Sequence, residues 1–364
     1  MGLDDAYLSY VLPVGTISGA TLTTGESTGG HYAAGVSDTD DDLGPSSSPA
    51  ATAKRHLRRV VGIALLAAVA VFAAIAVKRN WDAVREDLDL LSAGDYLAAT
   101  GAAAGGLLLL WTSWSAVLAG LGTHLPGHDS RTIYFAAQLG KYVPGSVWPA
   151  VIQARLGRRN GVSGTTMLVS YALWMGVLCA VGGVTSVLVL TNGNVEVPWW
   201  VIVAAVLAAL AALPLFVHDR GLPQLITWAL RRRGRSTEPV RITTVAARRA
   251  TALSAATWLV FGLHAWFLAR PLGAGVADLP LVVGAFALAF VAGVVVIPLP
   301  AGAGLRETIL VLTLGVAIGR PAAITVALLS RLIMVLVEVA LASVTGVPGA
   351  LRWARAARPD LAEG

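Results

Sequence analysis

Apolar runs long enough to cross a bilayer alternate with short polar stretches over most of this chain. A helix crosses the hydrocarbon with about 20 mostly apolar residues. Clear runs lie at 60–77, 97–121, 165–190, 198–217, 250–269, 281–297 and 322–345. A shorter run at 305–319 reaches only about 22 Å as helix. It is either a short span or half of a re-entrant hairpin. Only helices and closed barrels satisfy their backbone in lipid, and runs of this length are helical. The pattern therefore predicts an all-α fold, a polytopic transmembrane bundle of about seven or eight spans.

Two stretches interrupt the pattern. The first, QLGKYVPGSVWPAVIQARLGRRNGV at 138–162, breaks at Pro144, Gly145 and Pro149 and carries Lys141, Tyr142, Trp148 and Arg155. Arg155, Arg158 and Arg159 fall at helical spacings that place them on one face. The second, IPLPAGAGLRET at 297–308, holds Pro298, Pro300, Gly302, Gly304, Arg306 and Glu307. Prolines remove backbone donors and glycines loosen the chain. A helix starting near Leu305 would point unpaired N–H groups at the break, and with Arg306 these predict an anion site of the helix-terminus type. Irregular backbone at membrane depth is tolerated where it lines a cavity or is buried in protein. Plain readings stand beside these: an interfacial helix snorkelling its arginines for the first stretch, and a simple turn between spans for the second.

Composition agrees with the membrane class. The 364 residues are 56% hydrophobic and 13% charged, about half the charge of a soluble domain. Mean hydropathy is +0.70. The lone Cys179 reads as a buried apolar residue, and no metal or cofactor motif is present. Residues 1–50 contain seven acids and no Lys or Arg, and read as a disordered acidic tail. The transmembrane domain takes 51–355, and 356–364 form a C-terminal tail.

The basic residues set the orientation. Lys54, Arg55, Arg58 and Arg59 precede the first run. Alternation then places 122–164, 218–249 and the C-terminal tail on the same side. With those four, this side holds twenty of the 27 Lys and Arg. The expectation is a multi-pass protein of the cytoplasmic membrane with both termini cytoplasmic. The high isoelectric point then reflects charge facing anionic lipid, not nucleic acid.

Charged groups within apolar runs are costly and generally face a cavity or a partner. Arg331 and Glu338 stand two helical turns apart on one face. Some 10.5 Å separates them along the axis, so a third group is expected between them, and Glu307 is a candidate partner for Arg331. Two readings stay open, an ion pair that fixes helix packing and a functional cavity. His264, mid-span, reads as a hydrogen-bonded packing residue. Glu86, Asp87 and Asp89 lie in the first outer loop. They read either as the solvated face of a short amphipathic helix or as catalytic acids of an enzyme acting on polyprenyl-linked sugars.

KYVPGSVWPAVIQARLGRRNGVS and PLPAGAGLRETILVLTLG resemble the two signatures of the flippase-like integral membrane family. That family is related to the transmembrane region of lysylphosphatidylglycerol synthases, and the first signature is of its KYxPG type. The resemblance covers about 58–355. The soluble synthase domain lies outside it, so aminoacyl transfer is not implied. It implies a non-enzymatic role in translocating or handling a lipid across the membrane. The substrate would be a phospholipid or lipid-linked molecule with an anionic headgroup. Lys141, Tyr142, Pro144, Gly145, Trp148, Arg155, Gly302, Gly304, Arg306 and Glu307 would contact the headgroup, with Arg331 and Glu338 along the path. No cofactor is expected, a homo-oligomer is compatible, and a non-catalytic scaffold is the remaining alternative.

Overall fold

The computed structural model describes residues 81–142, 147–191, 241–295, 302 and 304–356, with isolated positions at 203, 207, 221, 224, 228 and 232. Every regular element among them is helical. In chain order these are α1 (Trp81–Leu90), α2 (Ala93–Gly120), α3 (Gly127–Gln138), α4 (Trp148–Arg159), α5 (Gly164–Ser186), α6 (Thr244–Ala269), α7 (Leu279–Val295), α8 (Leu305–Ile318) and α9 (Arg320–Ala356). A 3-10 turn over Leu139–Tyr142 follows α3, and another over Val187–Thr191 extends α5. Among the described residues, five stretches are long and apolar enough to cross a membrane: Ala93–Gly120, Gly164–Leu190, Thr244–Leu272, Val276–Val294 and Arg320–Gly346. They match five of the runs read from the sequence. The runs at 60–77 and 198–217 lie outside the described residues. The eighth run is α8, a helix of 14 residues and so about 21 Å long.

Helix α2 starts where its sequence predicts. Ser92 Oγ accepts from the Asp95 N–H at 3.3 Å, and Asp95 Oδ2 accepts from the Ser92 N–H at 3.0 Å. This reciprocal cap satisfies two backbone donors. Asp95 Oδ1 also accepts from Arg270, just past the end of α6, at 2.7 Å. The pair ties the start of α2 to the end of α6, so the two helices run antiparallel. Along their length small residues let the backbones approach, as lipid-embedded helices require. A Cβ on Gly106 would lie 2.3 Å from the Phe261 ring. Ser113 Oγ lies 3.1 Å from both the Ala250 carbonyl and Ser254 Oγ. Gly106→Val should therefore lower stability by about 1–3 kcal/mol, read as the thermal midpoint of the detergent-solubilised protein. An unchanged midpoint would mean that this crossing tolerates bulk.

The remaining order follows by alternation. Helix α2 leads from an end bearing Asp87, Asp95 and Arg270 to an end bearing Arg155, Arg158, Arg159, Arg248 and Arg249, called here the basic end. Helices α3 and α4 form a hairpin between α2 and α5. Thr132 of α3 donates to the Thr345 carbonyl of α9 at 2.7 Å, and Lys141 meets Glu338, two turns back along α9. The hairpin thus enters from the basic end and climbs α9 by about 10 Å.

Candidate functional site

The two breaks meet on α9. Lys141, in the turn after α3, donates a hydrogen bond from Nζ to Glu338 Oε1. Its neighbour Tyr142 donates to Glu338 Oε2 at 2.5 Å. Glu338 is 2% exposed. Counting along α9, it lies about 27 Å from Arg320 and about 12 Å from Gly346. An ionised carboxylate at that depth needs partners for both oxygens, and the 3-10 turn supplies them from consecutive residues.

Arg331 lies two turns from Glu338, toward the start of α9. Its Nε is 3.7 Å from Glu307 Oε1, the partner expected from the sequence. Glu307 is the third residue of α8, and its Oε2 accepts from the Gly304 N–H at 2.7 Å. This changes the helix-terminus reading. The chain's own carboxylate folds back onto the amino end of α8, as acidic residues at this position do. An external anion does not find that donor open, and the open cation is a side chain instead.

That side chain is Arg306. Its guanidinium stacks over Phe290 at 5.0 Å and Phe286 at 5.7 Å. Among the described residues no carboxylate or hydrogen-bond acceptor holds it. The stem runs between two glycines. A Cβ on Gly293 would lie 2.8 Å from Arg306 Cγ, and a Cβ on Gly302 would lie 2.7 Å from Gly293 Cα. Gly302 also has φ of 67°, a left-handed conformation that costs an L-residue about 1–2 kcal/mol. Gly302→Ala therefore carries both strain and overlap. It should lower stability by about 2–4 kcal/mol in all, measured by thermal unfolding in detergent. Gly304 has φ of 86° and turns the chain into α8.

Lys141, Tyr142, Arg306, Glu307, Arg331 and Glu338 line one cavity of about 20 Å³, with Ser330 and Met334 among the other lining residues. The space holds about one water. The described charges around it are three cations and two carboxylates, so the empty site carries one net positive charge, that of Arg306. Trp148 and Arg155, both on α4, do not line the cavity. Pro144 and Gly145 lie outside the described residues.

Sequence reasoning missed several groups. Phe286 and Phe290, one turn apart on α7, form the floor beneath Arg306, and their spacing is indistinguishable from ordinary core. Ser330 lines the cavity and bonds to His264 Nε2 at 3.0 Å, while His264 Nδ1 contacts the Ala99 carbonyl at 2.8 Å. His264 is thus the hydrogen-bonded packing residue expected, though its partner lines the site. Tyr134, Gln138, Gln153 and Trp174 are buried, and each holds a polar side-chain atom without a partner. The outer acids are divided. Glu86 and Asp89 are exposed on α1. Asp87 accepts from Thr325 of α9 at 2.6 Å, which docks α1 onto the bundle.

No curated protein matches the chain. Residues 59–342, more than three-quarters of its length, match the family described as lysylphosphatidylglycerol synthase TM region. The chain is a multi-pass membrane protein, and it belongs to the lysylphosphatidylglycerol synthase transmembrane-region family.

Proposed function

We propose that this protein is a non-enzymatic translocase that moves a lipid with an anionic headgroup across the cytoplasmic membrane. The observation that carries this reading is Arg306. Among the described residues no carboxylate pairs directly with this half-buried guanidinium, and a guanidinium pairs two oxygens of a phosphate at once. The charge left over in the site equals one phosphodiester. Membership of a family built around the membrane part of a lipid synthase supports a lipid as the carrier of that phosphate.

The basic end faces the cytoplasm in this reading, because Lys and Arg favour that side. The headgroup enters there, along the α3–α4 hairpin. A cavity of about 20 Å³ is too small for a headgroup, so loading requires the hairpin tip to move away from α9. Tyr142 and Lys141 are the contacts that part. An enzyme using the outer acids is disfavoured, because Asp87 is engaged with Thr325 in packing α1.

Reconstitution into vesicles with fluorescent lipids tests the reading. Anionic phospholipid should exchange between leaflets faster than in protein-free vesicles, and faster than a zwitterionic analogue. Equal rates with and without protein would overturn it. Reversing one ion pair separates a transport site from a scaffold. Glu307→Arg with Arg331→Glu keeps the pair but moves its positive end, so exchange should fall at least tenfold. A scaffold would lose function only as far as the swap lowers the thermal midpoint, since Glu307 also caps α8.

A further inference from the structure

Resting on that reading, we infer that a proton accompanies the lipid, and that it is carried on Glu338. The inference starts from polar groups that the anion site does not use.

Beside Glu338, on the side of the hairpin, buried polar atoms stand without partners. They are Tyr134 Oη, Gln138 Nε2, both amide atoms of Gln153 and Trp174 Nε1. Tyr134 and Gln138 lie one turn apart on α3, and Gln138 is one turn before Tyr142. The Tyr134 and Trp174 rings are 5.5 Å apart. Gln153 lies between Pro149, which backs onto Gly140, and Gly157, which backs onto Met167 of α5. It therefore faces into the seam between α3 and α5. Gln153 and Tyr134 are 0% exposed. Groups of this kind are satisfied by buried water. Water bonded to these groups would give Glu338 a proton donor on the side of the hairpin.

On the other side of the cavity lies the Ser330–His264 pair. A carbonyl only accepts, so His264 Nδ1 donates to Ala99, and Nε2 accepts from the Ser330 hydroxyl. The Ser330 oxygen keeps its remaining lone pair for the cavity. His264 is neutral in this arrangement. It sits five residues from the end of α6, toward the side opposite the hairpin. Glu338 thus lies between the seam and a hydroxyl–imidazole pair.

The charged and titratable groups facing Glu338 are Lys141, Tyr142, Arg306, Glu307 and Arg331 around the cavity and Tyr134 on α3. His264 on α6 reaches the site through Ser330. From the other helices against α9, Asp87 of α1 is held by Thr325 and Asp95 of α2 by Arg270, both at the far end.

The step balances as follows. A hydronium ion from solution gives its proton to Glu338 Oε1 and leaves as neutral water. The Lys141–Glu338 hydrogen bond breaks, and Lys141 stays an ammonium. Its freed N–H groups turn to an oxygen of the phosphodiester held by Arg306. The empty site carries one net positive charge, the proton adds one, and the monoanionic headgroup removes one. Loaded and empty sites therefore bear the same net charge. Exchange is electroneutral, and a pH difference across the membrane drives it without nucleotide hydrolysis.

The test uses the purified full chain in detergent, in unbuffered solution near neutral pH with a pH-sensitive dye. Short-chain phosphatidylglycerol is titrated in, and its binding is followed independently by equilibrium dialysis. The phosphodiester is ionised throughout this range, so any proton taken up goes to the protein. About one proton should be taken up per lipid bound, as linkage demands. Glu338→Gln should bind the lipid with no uptake. Binding to the wild-type protein without uptake overturns the inference and leaves the translocase reading standing. Uptake that persists in Glu338→Gln also overturns it, since the proton then resides elsewhere. If phosphatidylglycerol does not bind at all, both the inference and the reading beneath it are overturned.

Discussion

Arg306→Gln should slow exchange of anionic lipid in vesicles by about 10- to 100-fold while leaving the protein at least as stable as the wild type. The two halves of this result come from the same fact. A hydrogen-bonded ionic contact contributes about 1.5–3 kcal/mol, and its loss from the loaded state accounts for the slower exchange. Without lipid the guanidinium sits between α7 and α8, and among the described residues no carboxylate pairs directly with it, so neutralising it removes a desolvation cost. The loss of stacking on Phe286 and Phe290 partly offsets that gain, by about 0.5–2 kcal/mol. Arg306→Lys should fall between, because an ammonium keeps the charge but loses the planar fork that takes two phosphate oxygens. Leaflet exchange and the thermal midpoint, measured on the same preparations, check both halves. A variant that loses stability and exchange together would mark Arg306 as a packing residue.

That contrast also shows why the site was only partly legible. The class of fold follows from run length and hydropathy alone, because lipid forbids unpaired backbone. The breaks at 138–162 and 297–308 stand out because proline and glycine are read locally. The pairing of Arg331 with Glu307 could be anticipated, since both are charges stranded in apolar surroundings. The partner of Glu338 could not. Lys141 is 197 residues away in a segment rich in other cations, and nothing local distinguishes it from Arg155 on the following helix. Which of them reaches α9 depends on the direction in which the hairpin climbs, and that direction is set by packing such as the Thr132–Thr345 contact.

At the amino end of α8 one donor, the Gly304 N–H, is taken for a different reason. Glu307 was read as a partner for Arg331, and it is one, through Oε1. Its second oxygen caps its own helix. A carboxylate has room for both contacts, so the two roles do not compete. The unpaired glutamines were missed because a Gln in an otherwise mixed helix looks like surface. Only the burial of Gln153 against α5 turns it into a signal.

The largest effect on stability is expected at the Lys141–Glu338 pair. Lys141→Met should lower stability by about 3–5 kcal/mol, because Glu338 is 2% exposed and would keep only Tyr142. Combining it with Glu338→Leu removes the stranded charge and fills the space with apolar atoms. Most of the lost stability should return, giving a coupling of at least about 1–3 kcal/mol in a double-mutant cycle. Lipid exchange should stay lost, since the double variant has no cation to hand over to the phosphate. Glu338→Gln alone should be milder than Lys141→Met. A neutral amide still accepts from Tyr142, so the contact with Lys141 is the one lost. Thermal unfolding of the four proteins in one detergent decides the matter. If the double variant is as unstable as Lys141→Met, the hairpin is held to α9 by something other than this pair. Opening it would then not be the step that admits the lipid.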